Sequence, residues 1–255
     1  SNFDEVKKSI DQTRVLSNIL RVKGPMPITD FKDVRASLKR LKVKANLNGE
    51  ELGNIFLILS LAKDVSQFTA DLEEREIDTR PIEKTLKNLA IPEDLFKKLN
   101  QAIEYDGTVK DTASSKLMQL RHDIQSNETD IKNHMNDYIS GKHTQYLSEN
   151  IVTIRDGRYV LPVKQEYKNK FGGVVHDQSS SGQTLFVEPQ AVLVLNNRQQ
   201  NLMAQERQEI YRILIELSEL AGMYQKEIKN NADALTQLDF LSAKSKLAKA
   251  MKATE

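Results

Sequence analysis

The stretch Ile151–Pro189 reads IVTIRDGRYVLPVKQEYKNKFGGVVHDQSSSGQTLFVEP, and its pattern differs from that of the rest of the chain. Its first part contains two runs of β-branched and aromatic residues, Ile151 to Arg155 and Arg158 to Val163. Between these runs lie Asp156 and Gly157, a pair that accepts the positive φ of a tight hairpin turn. The pattern predicts a β hairpin.

Two more runs of the same kind follow in this stretch, Val174 to Gln178 and Thr184 to Glu188. The segment between them, SSSGQ, is a cluster of turn formers. Gly172 and Gly173 interrupt the chain before the third run. The whole stretch therefore predicts a small, four-stranded, mostly antiparallel β module.

The sequence around this module is typical of helices. The 255 residues include only 10 glycines and 6 prolines, and they are rich in Leu, Lys, Glu, Gln and Ala, which favour helix formation. We interpret residues 1–105 as a helical core and residues 225–255 as a final helix that returns to this core. The expected fold class is mainly α with a small inserted antiparallel β module.

Residues 106–148 and 191–224 flank the module and have the alternating three-and-four spacing of a coiled-coil seam. The predicted seam positions are Leu117, Leu120, Ile124, Asn127, Ile131, His134 and Tyr138 before the module, and Met203, Glu206, Ile210, Ile213, Leu217, Leu220 and Tyr224 after it. Helices that flank one inserted module bury such seams against each other only by running antiparallel. We therefore expect a long antiparallel coiled-coil arm that carries the β module, residues 149–190, at its tip.

The composition excludes several kinds of site. The 37 Lys and Arg residues are balanced by 36 Asp and Glu residues, so any attraction for phosphate must be local rather than chain-wide. The absence of cysteine excludes disulfides and thiolate chemistry. No apolar run approaches the roughly 18 residues of a membrane span, and no GxxxxGK[ST] phosphate loop is present. We expect a cytoplasmic protein whose present chain does not hydrolyse ATP.

The best candidates for a binding site are basic and aromatic residues of the β module. They are Arg155, Arg158, Lys164, Tyr167, Lys168 and Lys170, with Phe171 as a second candidate stacking group. Lys164 and Lys168 share a face if the segment forms a helical turn, and lysines beside aromatic rings suit nucleic acid. Five acidic residues balance these charges: Glu149, Asp156, Glu166, Asp177 and Glu188. From the residues alone, a nucleic-acid contact and an ordinary solvated surface both remain open.

Other chemistries are less favoured by the pattern. His176 and Asp177 are neighbours on a predicted strand and would point to opposite faces, which is unsuitable for a nucleophilic relay. His122, His134 and His143 lack acidic or histidine partners at ligand spacing. We therefore predict no catalytic, metal-binding or cofactor-binding residues in this chain.

Six segments carry a resemblance to a known family. They are DGTVKDTASSKL (Asp106–Leu117), RDGRYVLPVK (Arg155–Lys164), GVVHDQS (Gly173–Ser179), SGQTLFVEP (Ser181–Pro189), LVLNN (Leu193–Asn197) and ALTQLDFLSA (Ala234–Ala243). Through these segments the chain resembles the second bacterial MutS paralogue family, which is associated with control of homologous recombination and with ribosome rescue. The similarity covers nearly the whole chain.

The resemblance implies that residues 1–105 and 225–255 are a core, that 106–148 and 191–224 are a lever, and that 149–190 are a clamp. It implies binding of nucleic acid, either branched or double-stranded DNA or the ribosome and its rRNA, with no membrane or small-molecule partner. It also implies a homodimeric full-length protein. An ATPase using ATP and Mg and an endonuclease module would both lie outside this chain. The alternative is a structural or protein-interaction arm whose tip docks on a protein partner or on its dimer mate.

Overall fold

The computed structural model describes residues 1–253 of the chain. Its α-helices are α1 (Asn2–Val22), α2 (Arg35–Lys42), α3 (Gly49–Glu74), α4 (Glu83–Leu86), α5 (Glu93–Ala102), α6 (Ser115–Ser140), α7 (Leu193–Met223) and α8 (Gln225–Ala253). Its strands are β1 (Thr153–Arg155), β2 (Arg158–Lys164), β3 (Val174–Gln178) and β4 (Thr184–Glu188). The prediction of a mainly α protein with a small inserted antiparallel sheet is confirmed. None of the helices in the described range is long and apolar enough to cross a membrane.

The chain divides into two units. We call the first the helical unit, which consists of Ser1–Ala113 and the chain from Arg212 onward. We call the second the sheet unit, which consists of Ser114–Tyr211. Helix α7 belongs to both units, with its first part in the sheet unit.

Helix α3 lies at the centre of the helical unit. Its start is fixed by a capping box, in which the Asn48 side chain accepts a hydrogen bond from the Glu51 amide and the Glu51 carboxylate accepts one from the Asn48 amide. Leu52, Ile55 and Ile58 of this helix are fully buried. Helix α8 packs against both α1 and α3, so the helix predicted at the end of the chain does contact the N-terminal helices.

Gly107, in the segment Asp106–Leu117 that resembles the known family, makes a close backbone contact. Gly107 has a φ of 93°, and a Cβ placed on it would lie 2.5 Å from the amide nitrogen of Glu50. The loop that begins this segment therefore passes directly over the first turn of α3. A larger residue at position 107 would separate the two backbones, since the obstacle is main chain rather than a movable side chain.

In the sheet unit, the strands are ordered β1-β2-β4-β3 and every neighbouring pair is antiparallel. Val163 of β2 lies opposite Leu185 of β4, and a bulge interrupts the pairing of β3 with β4 between Val175 and Asp177. The inner face packs into one apolar cluster with the end of α6. Members of this cluster include Ile131, Met135, Leu161, Val163, Phe171, Leu185 and Val187.

Helices α6 and α7 run antiparallel within the sheet unit, as predicted. Asn127 Nδ2 donates to the carbonyl of Leu195 at 2.9 Å, and earlier in α6 Arg121 Nε lies 3.2 Å from Glu206 Oε2. Later residues of α6 therefore pair with earlier residues of α7, which is the antiparallel arrangement. The pairing is held largely by polar groups in this region.

The predicted seam is wrong at several positions. His134 is exposed and its Nδ1 lies 2.9 Å from the carbonyl oxygen of Asp130, whereas its neighbour Met135 is fully buried in the sheet cluster. Met203 is 38% exposed, whereas Leu202 is buried. Packing against the sheet and the burial of polar residues decide which faces of these helices are buried. Apolar periodicity cannot detect the buried polar positions. The buried polar positions of α7 in this unit are Asn196, Gln199 and Glu209.

Candidate nucleic-acid interface

Arg158, one of the predicted contact residues, lies inside the sheet unit. Its Nε and Nη2 donate to Oε2 of Glu188 at 2.9 and 2.6 Å. The Glu188 side chain is 1% exposed and that of Arg158 is 15% exposed. The structure therefore uses Arg158 to neutralise a buried carboxylate and does not present it on the surface.

Glu188 has two further partners from other parts of the unit. His176 Nε2 lies 2.8 Å from Oε1, and Asn196 Nδ2 donates to Oε2 at 2.7 Å. Burial opposes ionisation of Glu188, but the hydrogen bonds from Arg158, His176 and Asn196 outweigh it and hold the pKa of the carboxyl below its ordinary value. We call these four residues the Glu188 network.

Gly173 allows the chain to pass close to this network. Its φ is 76°, and a Cβ on it would collide with the carbonyl oxygen of Glu188. The backbone just before β3 approaches β4 here at a distance that only glycine tolerates. At position 173, glycine is favoured both by this close contact and by the positive φ.

Arg155 is also engaged within the module. Its Nε lies 3.4 Å from Asp177 Oδ2, and its guanidinium lies 4.2 Å from the centroid of the Phe186 ring. This arrangement is more exposed than the Glu188 network, because the Arg155 and Asp177 side chains are 38% and 51% exposed. Arg155 can reach solvent, but its charge is partly balanced.

The three predicted lysines are arranged differently from the arginines. Lys164, Lys168 and Lys170 are exposed, and Lys164 and Lys170 contact the short 3-10 segment Lys142–Tyr146 that follows α6. Lys164 Nζ donates to the carbonyl of Gln145 at 3.2 Å, and Lys170 Nζ lies 5.3 Å from the centroid of the Tyr146 ring. The exposed Lys142 belongs to the same region. We call Lys142, Lys164, Lys168 and Lys170 the lysine patch.

No carboxylate among residues 1–253 forms an ion pair with a lysine of this patch. The five acidic residues counted against the binding interpretation are therefore distributed unevenly. Glu188 and Asp177 pair with Arg158 and Arg155, whereas Glu149, Asp156 and Glu166 lie between the patch lysines in sequence. The patch lysines are therefore not neutralised by direct ion pairs with described residues.

Aromatic rings lie directly beside the lysine patch. The rings of Tyr146 and Tyr167 are 5.0 Å apart between centroids, and both residues are partly buried. Phe171 lies below them, 6.3 Å from Tyr146 and 5.2 Å from Tyr138. Phe171 is only 8% exposed, so it is a core residue and our expectation that it stacks on a ligand is wrong. Tyr167 does reach the surface.

A shallow groove runs across this side of the sheet unit, with a volume of about 850 Å³. Its walls are polar, and Ser148 Oγ lies 2.8 Å from Thr184 Oγ1 at one end. The lining residues are Ser148, Lys164, Gln165, Glu166, Lys168, Asn169, Gln183 and Thr184. Two of the predicted contact residues therefore open into one groove together with amide and hydroxyl groups.

No protein-family model matches the chain, but whole-chain comparison with curated proteins is informative. The chain is 99% identical over 255 residues to a protein named Endonuclease MutS2 from Lactobacillus johnsonii and 94% identical to that of Lactobacillus gasseri. It is 45% identical to the protein of the same name from Ligilactobacillus salivarius, again over the whole chain. The chain belongs to the MutS2 family. It spans 32% of the length of each of these relatives.

The segments that suggested the MutS2 family meet at the Glu188 network. Arg158, His176, Glu188 and Asn196 come from four different segments of that set. Asn196 also donates to the carbonyl of Tyr159 and accepts from its amide, both near 3.1 to 3.2 Å. These MutS2-like segments therefore hold the sheet unit together, and the lysine patch lies largely outside them.

Sequence reasoning missed part of this interface. Lys142, His143 and Tyr146 were not grouped with the β module because they precede it in the sequence. A cationic and aromatic run, KHTQY, directly after a helix-ending glycine was the available signal.

The described residues contain no group of three or more histidine, aspartate or glutamate side chains arranged to hold a metal ion. The His176 ring contacts the carboxylate of Glu188, and the Oγ atoms of Ser179 and Ser181 lie 3.4 Å apart. These are the partners of the histidine and serine residues considered for a nucleophilic relay.

Proposed function

We propose that the lysine patch of the sheet unit binds the phosphate backbone of nucleic acid. The observation that supports this most directly is the contrast within the predicted site. Its arginines are paired with carboxylates of the module, whereas its lysines are exposed and lack carboxylate partners among the described residues. Lysine ammonium groups act as point charges for phosphate. A positive patch on a nearly neutral chain localises that attraction.

In this proposal, the sheet unit contains the clamp, residues 149–190, and the arm that carries it, within the core, lever and clamp region of a MutS-family protein. The clamp grips branched DNA during control of homologous recombination, or collided ribosomes during ribosome rescue. The relatives' name, endonuclease, is consistent with a nucleic-acid target. Either target would be met in the bacterial cytoplasm.

The chain itself is proposed to be a non-enzymatic part of a longer protein. Its sequence has no GxxxxGK[ST] loop, the cradle that holds nucleotide phosphates. ATP and Mg would be bound by an ATPase domain outside this chain, which would also drive homodimerisation and closure of the clamp. The endonuclease activity of the relatives' name would likewise be located elsewhere in the full-length protein.

The alternative is an arm whose tip docks on a protein partner or on the dimer mate. One observation favours it, namely the exposure of apolar side chains on the two edge strands. Ile154 of β1 is 52% exposed, and Val174 and Val175 of β3 are 45% and 47% exposed. Such side chains suit a protein contact more than a phosphate backbone.

Salt dependence separates the two proposals. Binding of the 255-residue chain to labelled four-way-junction DNA and to rRNA fragments is measured by fluorescence anisotropy across a salt series. Phosphate contacts predict a linear fall of log K with log salt, with a slope of about 0.7 to 0.9 per contact. A steep slope supports the nucleic-acid proposal. Absence of binding to every nucleic acid at low salt contradicts it and leaves the docking arm.

A further inference from the structure

We propose that the groove beside the lysine patch receives an unpaired strand of nucleic acid, with a base stacked at Tyr167. This inference rests on the proposed nucleic-acid function and specifies the form of the ligand. Unpaired nucleotides occur in rRNA loops and in DNA branches that carry a single-stranded arm, so one site of this kind fits a strand from either source. Three features carry the argument: the shape of the groove, the polar groups that line it, and the fixed aromatic rings beside it.

The shape of the site is a recess rather than a protrusion. Proteins read a B-DNA duplex by inserting a helix or a β ribbon into the major groove, which is about 12 Å wide. Here Gln165 and Glu166 of the short 3-10 segment Gln165–Tyr167 line a shallow groove, together with the ends of β2 and β4 and the loops beside them. A recess of about 850 Å³ has room for a few nucleotides of one strand, whereas a duplex would only rest across its rim.

The polar groups of the groove match unpaired bases. Gln165, Asn169 and Gln183 line it with amide side chains, and Thr184 adds a hydroxyl. Amides offer both donors and acceptors, which suit the hydrogen-bonding edges of bases. In a duplex the Watson–Crick edges are already occupied, and protein recognition of those edges therefore requires unpaired nucleotides.

The aromatic rings are fixed before any ligand binds. Tyr146 packs between Tyr167, at 5.0 Å, and Phe171, at 6.3 Å, and His143 lies 5.8 Å from Phe171. The buried Phe171 anchors this group of tilted and edge-on rings to the apolar cluster of the sheet. Tyr167 lies next in sequence to the groove residues Glu166 and Lys168. A base stacked there would meet a rigid ring within reach of lysine ammonium groups, the combination found in single-strand binding sites.

The test compares single-stranded and duplex probes of equal length. The 255-residue chain is titrated, at one low salt concentration, against labelled oligo(dT), oligo(U) and a blunt DNA duplex, with anisotropy as the readout. One stacked base predicts that a single strand binds at least about fivefold more tightly than the duplex. Tighter binding of either oligo(U) or oligo(dT) than of the duplex supports the inference. The tighter of the two single strands then shows whether the bound strand is RNA or DNA.

Tyr167→Leu removes the ring, and Tyr167→Phe keeps it. We expect the leucine variant to lose about fivefold in affinity for the single strand, with duplex affinity unchanged, and the phenylalanine variant to bind normally. Thermal unfolding reports whether the leucine variant is folded. The surface variant Asn169→Ala with Gln183→Ala gives a second measurement that does not touch the aromatic stack, and it should also weaken single-strand binding selectively.

Equal or tighter binding of the duplex would overturn this inference while leaving the phosphate-binding function intact. So would loss of single-strand and duplex affinity in equal proportion in the groove variants. If none of the three probes binds at low salt, the proposed nucleic-acid function itself fails.

Discussion

Arg158 and Glu188 form an ion pair in which two guanidinium nitrogens of Arg158 donate to the same carboxylate oxygen. The residues are 30 positions apart, on strands β2 and β4. Because the Glu188 side chain is almost completely buried, this pair replaces the solvation that the carboxylate loses on folding. The pair therefore stabilises the sheet and withdraws one arginine from the candidate interface.

Arg158→Ala should destabilise the sheet unit strongly. Removing one member of a buried ion pair leaves an uncompensated charge, which costs about 3 to 5 kcal/mol. Hydrogen exchange of the β2 and β4 amides measures this loss locally. Arg155→Ala is the matched control, since its partner Asp177 is half-exposed and the cost should be about 1 kcal/mol. Equal effects of the two variants would show that Arg158 has no special structural role.

Glu188 should also make stability depend on pH. Its pKa is lowered in the folded protein, so at acidic pH the unfolded state binds the proton more readily than the folded state. The stabilisation is present above the unfolded pKa, whose ordinary value is 4.5, and is lost as pH falls through the folded pKa. Urea unfolding across this acidic window measures the slope for the wild type and for Glu188→Gln. An unchanged slope in the glutamine variant would contradict this assignment.

Gly173→Ala should disrupt the β3–β4 pairing. The added methyl group meets both an unfavourable φ and the carbonyl oxygen of Glu188. Gly182→Ala separates the two effects, because its φ is 72° but the atom nearest to its added methyl group would be 4.0 Å away. We expect about 1 to 2 kcal/mol for Gly182→Ala and a clearly larger loss for Gly173→Ala, measured by unfolding of each variant. Similar losses would mean that β3 moves aside at little cost.

The sequence predicted the strands well because their signals are local. The runs from Val174 to Gln178 and from Thr184 to Glu188 coincide with β3 and β4, since turn formers and glycines bound them on both sides. The antiparallel helix pair followed from the insertion of the module between two helical segments. These features depend on residues that are close in sequence.

The composition of the interface could not be predicted in the same way. Whether a basic residue is free or paired depends on contacts between distant segments, such as Arg158 with Glu188 or Lys164 with the Gln145 carbonyl. Arginine and lysine look equivalent in a charge pattern, but here both arginines pair with carboxylates and one of them, Arg158, is structural. Met135 and Leu202 were missed for a related reason, because the sheet and polar partners decide which helix face is buried.

Changing Lys164, Lys168 and Lys170 together to glutamate should weaken nucleic-acid binding and flatten its dependence on salt. Each lysine that neutralises one phosphate contributes about 0.7 to 0.9 to the slope of log K against log salt, so three lost contacts should remove about 2 to 3 units of slope. The substitutions should leave stability nearly unchanged, because the three side chains are exposed. Anisotropy titrations at several salt concentrations, together with thermal unfolding, measure both quantities.

The matched control is the same charge reversal at Lys39, Lys42 and Lys84 of the helical unit, which are exposed and have no ion-pair partner among residues 1–253. Both variants change the net charge of the chain by the same amount, so a general electrostatic effect would weaken binding equally in the two. Only contacts made at the lysine patch would separate them. If the control variant loses as much affinity and slope as the patch variant, the nucleic acid binds elsewhere on the chain and the patch is an ordinary solvated surface.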